Sequence, residues 1–346
     1  MQSAIAVILS LTTLVSGHGA DIRGVDLHDG QVIQVGGTYY FYGTMYAPNE
    51  AKTNCTVPFV WRDPASQWCG YGVSTSTSLD GPWSAPTALV SDTTFNGPED
   101  DYENACMRSD GEGCFEPRMY EIDGTWTLWM NVVDNLVDSG TPALLVMPCT
   151  GPAGPCNTSL AHAPADLGPC AREATGYQVL TYNGDIYLYC ATIGQTLASV
   201  QLDRFLDGMP DTAEVNLAGL TNVESPGVFH DPTMGWVLTY SDPNCGFCNG
   251  TGTGFAVATS PHGPWVAPSQ NGFRDVDLGR GRVSSAPSCG GQPDGVDVLG
   301  GNAYEQVDLW LGTRNEAKAT TDLEPLVGLN QKSARPCRVV TAQASR

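Results

Sequence analysis

Short β-rich apolar runs recur along the chain, broken by turns rich in Gly, Pro and Asp, and helical periodicity is scarce. Gln31 to Val35 (QVIQV) and Thr38 to Gly43 (TYYFYG) flank Gly36-Gly37, a hairpin signal. Glu116 to Trp129 (EPRMYEIDGTWTLW) and Glu224 to Tyr240 (ESPGVFHDPTMGWVLTY) have the same form. So does Tyr177 to Cys190 (YQVLTYNGDIYLYC), followed by Gln195 to Leu202 (QTLASVQL). A fifth pair joins Gly295 to Leu299 (GVDVL) with Gln306 to Gly312 (QVDLWLG). In three of the five, an acid leads the first strand and an aromatic strand returns: Asp29 with Tyr39, Glu116 with Trp126, Glu224 with Trp236.

Other segments also repeat. Ser78 to Pro86 and Ser260 to Pro268 both read Ser-x-x-Gly-Pro-Trp-x-Ala-Pro, and Thr150 to Cys156 (TGPAGPC) is a worn copy. The aromatic strands at Tyr39, Trp126, Tyr187, Trp236 and Trp310 phase five units, with the longer gaps taken up by insertion loops. A four-stranded propeller blade takes ~40–50 residues. The expected fold is therefore all-β, a single five-bladed β-propeller over residues 21–346. Val339-Val340 is the expected closing edge strand. Blades direct one end of their inner strands toward a common channel, so acids at the same phase converge. Asp29, Glu116 and Glu224 are the candidates.

Composition narrows the partners. The chain has 346 residues, 37 acidic against 16 basic, and a net charge of -21, which argues against nucleic acid or an anionic membrane surface. Residues 1–20 read as a signal peptide: Ala4 to Val15 is apolar but too short to span a bilayer, and small residues offer cleavage after Gly17 or Ala20. Twelve cysteines then suit disulfides in a secreted, extracellular chain, with Cys55/Cys69, Cys106/Cys114 and Cys149/Cys156 as local staples. Cys245 and Cys248 lack a second pair or a spaced His, so no metal or cofactor is expected. Asn54, Asn157 and Asn249 head N-glycosylation sequons for a eukaryotic secretory route.

Three converging acids suit glycoside cleavage with inversion. One acid protonates the leaving oxygen, a base activates water, and a third charge tunes the first. The same residues resemble glycoside hydrolase family 43. Asp29 to Tyr40 is similar to its first-blade segment, Phe115-Glu116-Pro117-Arg118 to its second-blade segment, and Glu224-Ser225-Pro226 to its Glu-x-Pro. The resemblance implies that Glu224 is the general acid, Asp29 the base and Glu116 the tuning acid. Glu116 in place of aspartate, and Leu309 to Asn315 (LWLGTRN), lean toward the exo-β-1,3-galactanase subgroup. There a fifth-blade glutamine activates water, and Gln292 is the matching residue. The chain departs from that subgroup at His28-Asp29-Gly30-Gln31, where its first blade reads His-Gly-Gly-Gly, and at Glu116-Pro117-Arg118, where its second reads Glu-Arg-Pro-Lys.

The expected activity is secreted hydrolysis of plant- or algal-type polysaccharide side chains, galactan foremost, by a monomer. The alternatives are arabinofuranosidase or xylosidase action, and a carbohydrate-binding propeller without catalysis. His28, Arg118, Arg314 and Trp129 are candidate substrate contacts, with His230 beside the acids as a further one. Aromatic residues on strands are, however, more often core.

Overall fold

The computed structural model describes residues 19–47, 67–91, 114–132, 144–171, 176–243, 251–267, 281–284, 291–309 and 319–326. Within them, nineteen strands form five antiparallel sheets. Blade 1 orders β2 (His28–Val35), β3 (Thr38–Ala47), β4 (Gln67–Ser76) and β5 (Thr87–Ser91). Blade 2 orders β6 (Cys114–Ile122), β7 (Thr125–Val132) and β8 (Leu144–Cys149). A reciprocal backbone bridge between Val146 and His162 stands where its fourth strand would lie. Blade 3 orders β9 (Tyr177–Tyr182), β10 (Asp185–Ala191), β11 (Leu197–Leu202) and β12 (Gly208–Glu214). Blade 4 orders β13 (Glu224–Asp231), β14 (Gly235–Asp242), β15 (Gly252–Ala258) and β16 (Gly281–Ser284). Blade 5 orders β17 (Gln292–Leu299), β18 (Asn302–Asp308), β19 (Ala319–Pro325) and β1 (Ala20–Arg23). The first strand listed in each blade is innermost: β2 packs on β6 and β17, and β13 on β9 and β17. The architecture is the expected five-bladed propeller.

Two details differ from expectation. The fifth hairpin turns at Gly300-Gly301, so its aromatic is Tyr304, paired with Asp297; Trp310 lies outside the described residues. The outermost strand of blade 5 is β1, from the N-terminal end, with Ala20 opposite Leu323 and Asp21 opposite Asp322. Val339-Val340 lies outside the described residues. Pairing β1 with β19 joins an N-terminal and a C-terminal segment in one sheet and covers the outer edge of β19. Of the two cleavage points read in the sequence, Gly17 leaves β1 whole and Ala20 removes its first residue.

The worn repeat proves to be a true structural copy. Gly81-Pro82, Gly154-Pro155 and Gly263-Pro264 are all cis, and each Gly N–H closes the same turn onto the carbonyl three residues earlier. Cys149–Cys156 bridges the middle copy, and Cys170–Cys190 adds a staple onto β10. The other two local staples rest on residues outside those described.

The core lies between blades rather than within one. Tyr42, Tyr71 and Val73 of blade 1 meet Met119, Leu128 and Met130 of blade 2. Trp129 and Val146 of blade 2 meet Tyr177, Val179 and Leu188 of blade 3. Tyr187 and Tyr189 meet Leu238 and Trp265, and Phe229 and Phe255 meet Val296 and Ala303. Blade 5 closes on blade 1 through Leu299 and Tyr304 against Val32 and Phe41. Period-two strands produce this directly, since both faces of every blade except its outer edge are covered.

Near the axis, each inner strand has an edge with no neighbouring strand, and side chains pair it. Gln31 Oε1 accepts the Met119 N–H at 2.8 Å, blade 1 to blade 2. Glu116 Oε2 accepts the Tyr177 N–H at 3.2 Å, blade 2 to blade 3. Gln178 Oε1 accepts the Val228 N–H, blade 3 to blade 4, and its Nε2 donates to the Val228 and Val296 carbonyls at 3.3 and 3.4 Å. Asp297 Oδ2 accepts the Val32 N–H at 2.9 Å, blade 5 to blade 1. Between blades 4 and 5 the backbones themselves close up. A Cβ on Gly227 would lie 2.6 Å from Val296 Cγ2 and 2.8 Å from its backbone nitrogen.

Gly227→Ala should therefore destabilise the fold by roughly 1–3 kcal/mol through overpacking. Gln178→Leu should cost a similar ~1–3 kcal/mol by leaving the Val228 N–H unpaired. Urea unfolding measures both, and an unchanged midpoint for either would refute the interblade contact assigned to it.

Candidate functional site

Four inner strands carry the same irregularity. The pairing register slips between His28 and Gln31, between Phe115 and Arg118, between Glu224 and Gly227, and between Pro293 and Val296. Each is a bulge in which two residues oppose one. The first bulged residues are Asp29, Glu116, Ser225 and Asp294. Asp29, Glu116 and Ser225 sit at φ 52, 55 and 51°, while in blade 5 the positive angle falls on Gly295, at 104°. Left-handed backbone costs a non-glycine residue on the order of 1 kcal/mol or more and clusters where side chains must be re-aimed. Glu224 is thus one residue earlier in phase than Asp29 and Glu116. The third acid in the bulge slot, equivalent to Asp29 and Glu116, is Asp294.

The acids form one electrostatic cluster. Asp29, Glu116, Glu224 and Asp294 are all buried, at 3, 7, 4 and 4% exposure. Burial pushes Asp29 well above the usual carboxylate range; the Thr44 hydroxyl, 2.6 Å from Oδ1, and His28 oppose this, while Asp308 and Glu116 add to it. Its Oδ2 is buried with no hydrogen-bond partner among the described residues. Burial also raises Glu116, opposed by Arg118, reinforced by Glu224, and opposed by the Tyr177 N–H. Asp294 is raised by burial and by Glu116, against the pull of Arg118, and further by Asp29 and Asp308. Gln292 Nε2 donates to Glu224 Oε1 at 3.0 Å, tying blade 5 to blade 4. Four carboxylates from four blades therefore sense one another through a low-dielectric interior.

The residues read as substrate contacts have other work. His28 Nδ1 lies 3.1 Å from Asp308 and Nε2 lies 3.2 Å from Asp26, so both ring nitrogens face carboxylates and no polar atom remains for a sugar. Burial alone would lower its pKa; Asp308 and Asp26 overcome that and raise it to about 10. It is an imidazolium that holds Asp308, whose Oδ2 accepts the Asp29 N–H at 2.5 Å. Arg118, 1% exposed, donates to the Asp294 carbonyl at 2.5 Å and lies over the Tyr177 ring at 5.7 Å, so it supports the acids from within. Trp129 is fully buried against Tyr177, with its Nε1 3.3 Å from Thr127 Oγ1; it is core, not a stacking platform. His230 packs on Trp236 six residues along β13 from Glu224, roughly 20 Å away at the strand rise. Arg314 lies outside the described residues.

Three participants had not been expected: Asp294, Asp308 and Tyr177. Asp294-Gly295 repeats the Asp29-Gly30 dipeptide, so Asp294 had a signal. Asp308 meets His28 across 280 residues, and nothing local in the sequence marks that contact.

No family model and no curated protein sequence matches the chain. Solved structures do. The fold is similar to an exo-β-1,3-galactanase from Clostridium thermocellum, at 14% identity and TM-score 0.60 over 87% of this chain and 61% of that one. A β-1,3-galactosidase of glycoside hydrolase family 43 gives 18% and 0.59 over 87% and 56%. The exo-β-1,3-galactanase from Phanerochaete chrysosporium, solved with galactose, gives 15% and 0.56 over 87% and 60%. The chain is a five-bladed propeller similar in fold to these structures. It spans about 56–61% of the length of these three proteins.

The charges set a pH dependence. His28 is raised from 6.5 to about 10, so its contribution to stability is full below pH 6.5 and lost as pH rises through about 10. Asp297 and Glu305, raised by burial from 3.8 and 4.5 to about 7, have the same sign: the fold loses stability as pH rises across that interval. Thermal unfolding should therefore show its highest midpoint on the acidic side and a decline toward pH 10. A midpoint that climbs from pH 5 to pH 8 would contradict the assigned burial of these groups.

Proposed function

We propose that the chain is a secreted inverting glycoside hydrolase that acts on β-1,3-linked galactan, with Glu224 as general acid. The supporting observation is the meeting of Asp29, Glu116, Glu224 and Gln292 from four blades at one buried cluster. Two of the similar structures are of exo-β-1,3-galactanases, one of them solved with galactose, and the disulfides suit an oxidising compartment.

In this reading Glu224 gives its proton to the glycosidic oxygen as the C–O bond breaks. Water attacks the anomeric carbon from the opposite face, and its proton passes to a base. Asp29 is the better base. Its Oδ2 has no hydrogen-bond partner among the described residues, its Oδ1 is fixed by Thr44, and its backbone is fixed by Asp308. Gln292 holds the acid instead, donating an N–H to Glu224 Oε1. Glu116 carries like charge toward Glu224, so the pair favours holding one proton between them.

Glu224→Gln should lower turnover of β-1,3-galactan by roughly 10²–10⁴-fold, the usual contribution of a general acid, with little change in unfolding midpoint. Asp29→Asn should fall comparably, and Gln292→Ala less. Proton NMR of the first product should show inverted anomeric configuration. Release of sugar from arabinan or xylan but not galactan would move the substrate to those polymers. Binding without release from any of the three would make the propeller a lectin-like module.

A further inference from the structure

We propose that Asp294 is a positioning residue of this site, anchoring Arg118 from blade 5 so that one guanidinium serves both Asp294 and Glu116. The proposal rests on the hydrolase reading above, but its geometry is independent of substrate. Asp294 occupies in blade 5 the bulge slot that Asp29 fills in blade 1 and Glu116 in blade 2. It grips Arg118 twice: Nη2 donates to its carbonyl at 2.5 Å and lies 3.5 Å from its Oδ1. Its Oδ2 is buried and has no hydrogen-bond partner among the described residues. The charged groups facing it are Glu116 and Arg118 on β6, Asp29 on β2 and Asp308 on β18. Two residues before it, Gln292 holds Glu224. The segment Gln292-Pro293-Asp294 thus reaches the acid with one end and the guanidinium beside Glu116 with the other.

Two effects follow on Glu116, and they have one sign. The Asp294 carboxylate draws part of the Arg118 charge away from Glu116, and it repels Glu116 directly. Asp294→Asn keeps the backbone carbonyl and the shape but removes both effects, which favours ionised Glu116. The proton shared by Glu116 and Glu224 should then be lost at lower pH. The alkaline limb of the kcat/KM profile on β-1,3-galactan should move down by about one pH unit. Asp294→Glu, which restores the charge, should return it toward the wild-type position. A limb that stays in place in Asp294→Asn overturns the proposal.

A second experiment does not need activity. Unfolding midpoints of wild type, Asp294→Asn, Glu116→Gln and the double variant are compared from pH 5 to pH 8. Asp294→Asn should gain on wild type as pH rises, and the gain should shrink in the Glu116→Gln background. Strictly additive effects overturn the proposal. If the wild type cleaves no polysaccharide, the hydrolase reading fails while this cycle still decides the role of Asp294. Asp294→Ser replaces the asparagine variant if that one does not fold. Failure of both to fold, with Glu116→Gln soluble, also overturns it, since Asp294 would then be needed for folding rather than for setting Glu116.

Discussion

An inner propeller strand has a row of backbone donors with no strand beside it, and this chain pairs them from the same short segments that hold its acids. The Glu116 carboxylate is the plainest case. One oxygen takes the Tyr177 N–H of the next blade, and the Tyr177 hydroxyl returns to the Glu116 carbonyl at 2.7 Å. The bulge that lifts Glu116 into a left-handed conformation is what lets one residue make both contacts. The acid is therefore a structural part before it is a chemical one. Its placement is inherited from the way two blades meet.

That coupling has an electrostatic cost, offset locally. Five buried carboxylates, of Asp29, Glu116, Glu224, Asp294 and Asp308, and the partly buried Asp26 crowd around two buried cations, His28 and Arg118. Each cation is used twice: His28 between Asp26 and Asp308, Arg118 between Asp294 and Glu116. Ionising every acid at once would leave an uncompensated negative interior, which low dielectric makes unfavourable. Retaining protons is the cheaper solution, and a retained proton on a carboxyl is what a general acid requires. The features that make this interior hard to ionise also suit it to proton transfer.

The fold was legible because it repeats. Five hairpins, two full copies of one outer turn and a third worn copy phase the blades without reference to any contact. Glu116 and Asp29 were legible for the same reason, since each leads an inner strand. The assignments that failed were of another kind. His28, Arg118 and Trp129 were given to substrate by their types and neighbours in sequence, but their partners are Asp308, Asp294 and Tyr177, up to 280 residues away. Long-range pairing of polar side chains leaves no local period. The fifth blade was misphased because Trp310 drew attention from Tyr304, and with that shift Asp294 lost its equivalence to Asp29.

The same correction of phase explains why blade 4 is the exception. There the first bulged residue is Ser225, and the residue two further on is Gly227, which has no side chain to bridge to blade 5. A latch like Gln31 or Arg118 is excluded, because Val296 fills the space a Cβ would need. The strands β13 and β17 approach closely here, and the residue just before the bulge, Glu224, is within reach of Gln292 on the neighbouring strand. In blades 1 and 2 a larger residue at that later position latches the next blade or supports the acids. In blade 4 glycine draws the next blade in, and the contact between blades passes to the acid itself. Filling Gly227 would thus be expected to disturb Glu224 as well as the seam, since one close approach sets both.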